Sequence, residues 1–321
     1  MKIPEKLKHG DEIRIIAPSR SLKILADDGV ILARQRLEAF GFKVTFGKHV
    51  ETCDLQHSSP IAERVADIHE AFADPNVKGI LTVIGGFNSN ELLPYLDYQL
   101  IQANPKVLCG YSDITALANA ITAKCQFVTY SGPHFSSFQM TELQSYQSTH
   151  FKQCLCQEEP FDLVPSRYWS DDKWFINQEK RNYHQTDWKV YQHGTALGTL
   201  VGGNLCTLNL LQGTEFMPTV DQSILFIEDD ELTIPETFAR DLASLLQVTK
   251  EIKGLLIGRF QETSEMTEEQ LHFILDKHPV LKTIPVYYDL DFGHTQPMMT
   301  LPIGGMISLN TQLAHLKLIE F

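Results

Sequence analysis

Apolar positions along the chain follow two alternating rhythms. Glu12 to Pro18, Phe42 to Phe46 and Gly79 to Ile84 read as short strands, the first ending in a Pro-Ser loop. Between them, Val30, Ile31, Ala33, Leu37 and Phe40 recur at helical spacing from Asp27 until Gly41 stops the helix, and a second amphipathic helix runs from Ile61 to Phe72 behind Pro60. Gly85-Gly86-Phe87-Asn88-Ser89-Asn90 is expected to open a further helix. Val107 to Cys109 is another strand, a helix follows from Asp113 with Ile114, Leu117, Ala118 and Ile121 on one face, and Phe127 to Tyr130 is a strand again. Strand and helix in alternation predict an α/β fold with a mostly parallel sheet and helices on both faces.

The rhythm dissolves from about residue 160 to 195, where the chain turns polar and aromatic and holds all three tryptophans, Trp169, Trp174 and Trp188. This predicts a linker plus a long loop, either a binding loop or a domain seam whose aromatics only pack. Beyond it the alternation restarts: strands over Gln222–Glu228, Gly254–Gly258 and Ile284–Asp291, helices over Pro235–Leu246 and Thr267–Lys277, and a tail from Thr300 that alternates like two strands around Asn310-Thr311. Two domains are expected, residues 1–165 and a smaller β/α domain over 166–321.

Sheets of this type place ligands at the carboxyl ends of their strands. Three polar side chains stand there. Ser112 sits on the corner between a strand and a helix, where free amides and the positive end of the helix dipole suit an oxyanion. The Gly110-x-Ser112 spacing resembles a nucleophile elbow, although Ile114 occupies the place of its second glycine. A serine N-cap before an acidic residue reads the same way. Glu228 and His294 each end a strand run, and Ser, Glu, His in that chain order is an order found in hydrolase triads. Taken singly, Glu228 also reads as a solvated acidic loop and His294 as a turn histidine.

Composition narrows the classes. A net charge of −13 with no basic stripe argues against binding a nucleic-acid polymer, and no apolar run reaches the length of a membrane helix. The N-terminal residues show no apolar signal-peptide core, and the six cysteines contain no CxxC pair, so a cytoplasmic protein is expected. There is no HExxH, no convincing histidine ligand set and no phosphate-loop lysine, so no metal is expected and a nucleotide-phosphate cradle is poorly supported.

The blocks Gly85 to Leu93, Gly110 to Leu117, Gly202-Gly203-Asn204-Leu205, Leu225 to Asp229 and Phe292-Gly293-His294, in this order, resemble the LD-carboxypeptidase (serine peptidase S66) family. The Ser112–Thr115 block and the aromatic segment are similar to its microcin C immunity (MccF-like) branch. The resemblance implies a cofactor-free Ser–His–Glu amide hydrolase, usually a homodimer, with Ser112 as nucleophile, His294 as general base, Glu228 as its orienter, and the Gly86 and Asp113 amides as oxyanion hole. Gly85, Asn88 and Asn204 are expected near the substrate, and Trp174 or Trp188 is expected to stack on a nucleobase. Within the family the substrate is either a peptidyl-nucleotide amide or a muramoyl tetrapeptide. A two-domain protein that binds a small ligand without chemistry is the competing class.

Overall fold

The computed structural model describes residues 1–321. In chain order the first half runs β1 (Glu12–Ile16), α1 (Asp27–Ala39), β2 (Lys43–Phe46), α2 (Ile61–Ala73), β3 (Val77–Thr82), α3 (Tyr98–Ala103), β4 (Val107–Cys109), α4 (Ile114–Cys125), β5 (Thr129–Ser131) and α5 (Gln144–Cys156). The second half contributes β6 (Phe161–Asp162), β7 (Tyr168–Trp169), β8 (His184–Gln185), β9 (Lys189–Gln192), β10 (Thr195–Asn204), α6 (Leu205–Asn209), β11 (Ser223–Glu228), α7 (Pro235–Gln247), β12 (Gly254–Gly258), α8 (Glu268–Asp276), β13 (Val286–Leu290), β14 (Leu301–Ile303), β15 (Met306–Asn310) and β16 (His315–Glu320).

Two sheets result. The first has the order β14-β5-β4-β3-β1-β2 and is parallel from β5 to β2. The second has the order β6-β16-β15-β10-β11-β12-β13-β9, parallel from β10 to β13 and antiparallel at both flanks. β11 and β12 are buried at every position, as strands covered on both faces must be. One continuous cluster of 76 buried apolar residues runs through both halves, so the walls of the cleft between them share a core. No helix is long and apolar enough to cross a membrane.

The structure departs from the sequence pattern in three places. The segment after Gly85-Gly86 forms a 3-10 helix, Ser89–Tyr95, because Pro94 within it has no N–H to sustain an α-helical ladder; α3 then starts afresh behind an Asp97 cap that accepts from the Leu100 amide at 2.9 Å. The tail carries three strands: Leu301–Ile303 leaves the second half and adds an antiparallel edge to the first sheet, against β5. Pro302 is tolerated there because an edge strand leaves one row of N–H groups unused. The 160–195 segment is not a structureless loop. β6 pairs with β16, β9 with β13, and β7 with β8.

Candidate active site

Ser112 lies between β4 and α4 with φ +59°, a left-handed conformation rare for a residue with a Cβ and costing on the order of 1–3 kcal/mol. The bend turns the hydroxyl out of the sheet. Gly85 packs beneath it so closely that a Cβ there would stand 2.9 Å from the Ser112 Cβ, and this explains a glycine at the end of β3. The Asp113 carboxylate binds the two loops together. Its Oδ2 accepts from Ser19 Oγ at 2.6 Å and from the amides of Ser89 at 2.9 Å and Asn88 at 3.1 Å, while Ser89 Oγ donates to the Asp113 carbonyl at 2.6 Å. Burial raises the Asp113 pKa against these hydrogen bonds. The amides of Gly86 and Asp113 donate to no protein acceptor, as oxyanion donors must be free to do.

Across the cleft, His294 follows β13 and Glu228 ends β11. His294 Nε2 is 3.0 Å from Ser112 Oγ, and His294 Nδ1 is 2.6 Å from Glu228 Oε2. A carboxylate only accepts, so Nδ1 carries the proton and Nε2 presents its lone pair to the serine hydroxyl. Gly293, at φ +95°, lets the chain pass over Glu228; a Cβ there would fall 2.5 Å from Oε2. Burial works against a charged His294, but the charge and hydrogen bond of Glu228 outweigh it, and the pKa is raised. Asp229, buried beside Glu228, is pushed up to about 7 by desolvation and by that neighbouring carboxylate. Tyr111 sits edge-on to His294 with ring centroids 5.3 Å apart, and its other neighbour is His134, which donates to or accepts from Thr82 Oγ1 at 2.7 Å. Burial, with His294 nearby, drives His134 down to about 3, so it stays neutral.

The other expected contacts are redistributed. Asn204 is 1% exposed, and its Oδ1 caps α6 by accepting from the Thr207 amide at 3.1 Å and hydroxyl at 2.8 Å. Its oxygen is thus committed to the helix cap, while its Nδ2 stands 3.5 Å from Asp229 Oδ1. Asn88 is buried and serves through its backbone: its amide meets Asp113, and its carbonyl accepts from Arg64 Nη1 at 3.0 Å. Trp188 packs on the core, and its Nε1 donates to Asp291 at 2.9 Å, so its polar edge is not available to a ligand. Trp174 is different. It is half-buried, edge-on to Phe175 at 5.9 Å, and its neighbour Lys173 pairs with Glu231 at 3.2 Å, three residues beyond Glu228. The segment also reaches the first half, where Gln178 accepts from the Thr141 amide at 2.8 Å and donates to the Gln139 carbonyl at 2.9 Å. It therefore straps the two halves together.

Sequence reasoning missed Ser19 and Arg64, which fasten the Gly85-Gly86 loop, and also Arg259 and Asp291. The last two follow β12 and β13 directly; the carboxyl-end rule that selected Glu228 and His294 applies equally to them.

Residues 13–132 match the LD-carboxypeptidase N-terminal domain, and residues 197–309 match its C-terminal domain. A Bacillus subtilis protein named putative carboxypeptidase YocD is 49% identical over 94% of this chain and 93% of its own. The microcin C7 self-immunity protein MccF of Escherichia coli is 31% identical over 97% and 94%. The crystal structure of an MccF-like protein from Bacillus anthracis superposes with a TM-score of 0.98 at 47% identity, covering 100% of both chains. The chain belongs to the LD-carboxypeptidase family of serine peptidases and is a carboxypeptidase-type hydrolase.

Proposed function

We propose that this hydrolase cleaves peptidyl-nucleotide amides with Ser112, His294 and Glu228 as its triad. The carrying observation is the unbroken chain from Ser112 Oγ through His294 to Glu228, at 3.0 and 2.6 Å, with the serine held in a left-handed bend. Ser112 Oγ attacks the scissile carbonyl while His294 Nε2 takes its proton. Glu228 stabilises the imidazolium, and the free amides of Gly86 and Asp113 receive the oxyanion. His294 then protonates the leaving amine, and water hydrolyses the acyl-enzyme by the same path in reverse roles.

The choice of substrate is supported by relatives and by the strap. MccF structures hold glutamyl sulfamoyl guanosine and aspartyl sulfamoyl adenosine. Here Trp174, a flat ring on the segment spanning the cleft, fits the stacking of a nucleobase, worth ~1–3 kcal/mol. A murein-peptide substrate is the second reading, favoured by a Bacillus subtilis relative named probable murein peptide carboxypeptidase that is 29% identical over 96% of this chain. Purified protein assayed on a peptidyl-nucleotide amide and on a murein tetrapeptide decides between them. The proposal expects kcat/KM at least about tenfold higher on the nucleotide, in line with that stacking energy. The reverse preference would transfer the chain to murein chemistry.

A further inference from the structure

On the chain segments flanking His294 stands a buried ion pair with no part in the chemistry just described. Arg259, 4% exposed, and Asp291, 0% exposed, meet at 3.0 Å. The same Nη1 of Arg259 also donates to Thr295 Oγ1 at 3.4 Å, and its Nη2 donates to the Asp289 carbonyl at 2.8 Å. One guanidinium thus grips the chain at 289, 291 and 295, bracketing His294. The remaining acceptor positions of Asp291 are filled entirely from the aromatic segment: Ser166 N at 2.8 Å, Ser166 Oγ at 3.0 Å and Trp188 Nε1 at 2.9 Å. Trp169 covers the guanidinium with its ring, 4.8 Å from Cζ, and is itself stacked on His184 at 4.5 Å. Two backbone hydrogen bonds of 2.8 Å between Ser170 and Gln296 continue the seam just past His294.

We infer that Arg259 and Asp291 are positioning residues that clamp the His294 turn, and that the aromatic segment is the outer jaw of this clamp. The inference rests on His294 acting as the proposed base. Stability alone gives a poor account of the arrangement. Removing two charges from water costs about as much as their attraction returns, and apolar replacements of equal volume are commonly as stable or more so. What the pair supplies is geometry: a planar fork and a fully subscribed carboxylate fix the turn to a fraction of an ångström, and a displacement of about 1 Å can cost a hundredfold in rate. The segment that straps the cleft therefore also sets the base.

Trp188→Phe keeps an aromatic ring, though a smaller one, and removes the N–H donated to Asp291. We expect kcat to fall about five- to thirtyfold with KM within about twofold on either substrate, a fraction of the cost of a full misplacement. The downfield Nδ1–H proton resonance of His294, reporting its bond to Glu228, should shift or broaden. Arg259→Lys keeps the charge and loses the fork, and should lower kcat further, about tenfold to a hundredfold. Unchanged kcat and resonance in Trp188→Phe, with only a lower melting temperature, would overturn the clamp. So would a KM increase confined to the nucleotide substrate, which would make Trp188 a ligand contact. Failure of the clamp leaves the triad standing, because the triad is judged separately by Ser112→Ala.

Discussion

The two walls of the cleft are built by different means. On the serine wall the geometry is set within one sheet: the bend at Ser112, the glycine packed beneath it, and one carboxylate, Asp113, tying the loops that follow β1, β3 and β4. On the histidine wall the turn is held in addition by the aromatic segment, with Ser166 and Trp188 joining Arg259 on Asp291. The first wall is pre-formed wherever its sheet forms. The second is complete only when the aromatic segment has docked on its sheet as well.

Substitutions test that contrast. The largest effect is expected at the centre of the serine wall. Ser112→Ala should lower kcat about ten-thousandfold or more, because only oxyanion stabilisation and binding remain, while calorimetry finds the affinity for a non-hydrolysable sulfamoyl analogue nearly unchanged. A variant that keeps a tenth of wild-type turnover would remove Ser112 from the nucleophile's role. Glu228→Gln, which keeps the shape of the histidine wall and loses the charge, should cost about a hundredfold to ten-thousandfold in kcat; full activity would reduce Glu228 to a strand-end acid.

Asp113→Asn probes the tie between the loops of the serine wall. All three hydrogen bonds converge on one oxygen, so losing the charge weakens them together, and kcat should fall about ten- to a hundredfold as the Gly86 amide drifts, less than the roughly hundred- to thousandfold of an oxyanion donor removed outright. Wild-type turnover there would mean that the corner is fixed by the sheet alone. Acidification acts on the other wall. The raised pKa of His294 places the acid limb of the kcat/KM profile above the usual imidazole range near 6.5, with activity lost as pH falls through it. An acid limb below that range would contradict the Glu228 contact. Trp174→Ala is the mildest variant, expected to weaken peptidyl-nucleotide cleavage by about tenfold and to spare murein-peptide cleavage, by the stacking energy above. Equal loss on both would make Trp174 a support of the strap.

The same contrast decides what could be read from sequence. The parallel sheet, the strand-to-helix corner and the polar strand ends at 228 and 294 are local patterns, and they were legible. The positive φ of Ser112 was only half legible, since its cause is the crowded corner and no glycine marks it. Arg259 and Asp291 were invisible as a pair. Each looks like an isolated polar residue after an apolar run, and only the adjacency of β12 and β13, with Gly258 opposite Leu290, brings them together. The aromatic segment misled for a related reason: two of its three indoles, Trp169 and Trp188, meet a buried ion pair, which a search for apolar faces does not anticipate. A three-residue run such as Leu301-Pro302-Ile303 says nothing about which sheet it joins.

That last strand has a consequence for the making of the protein. β14 completes the first sheet beside β5, yet it follows β5 by about 170 residues, with six of the second sheet's eight strands between them. At roughly 5–20 residues per second of synthesis, the serine-bearing sheet waits about 10–35 s with the flank of β5 uncovered. An open strand edge of that kind invites pairing with other chains. The serine half therefore completes its sheet only after most of the second half has been made. Cutting the gene between the two halves would leave that edge bare for the life of the fragment.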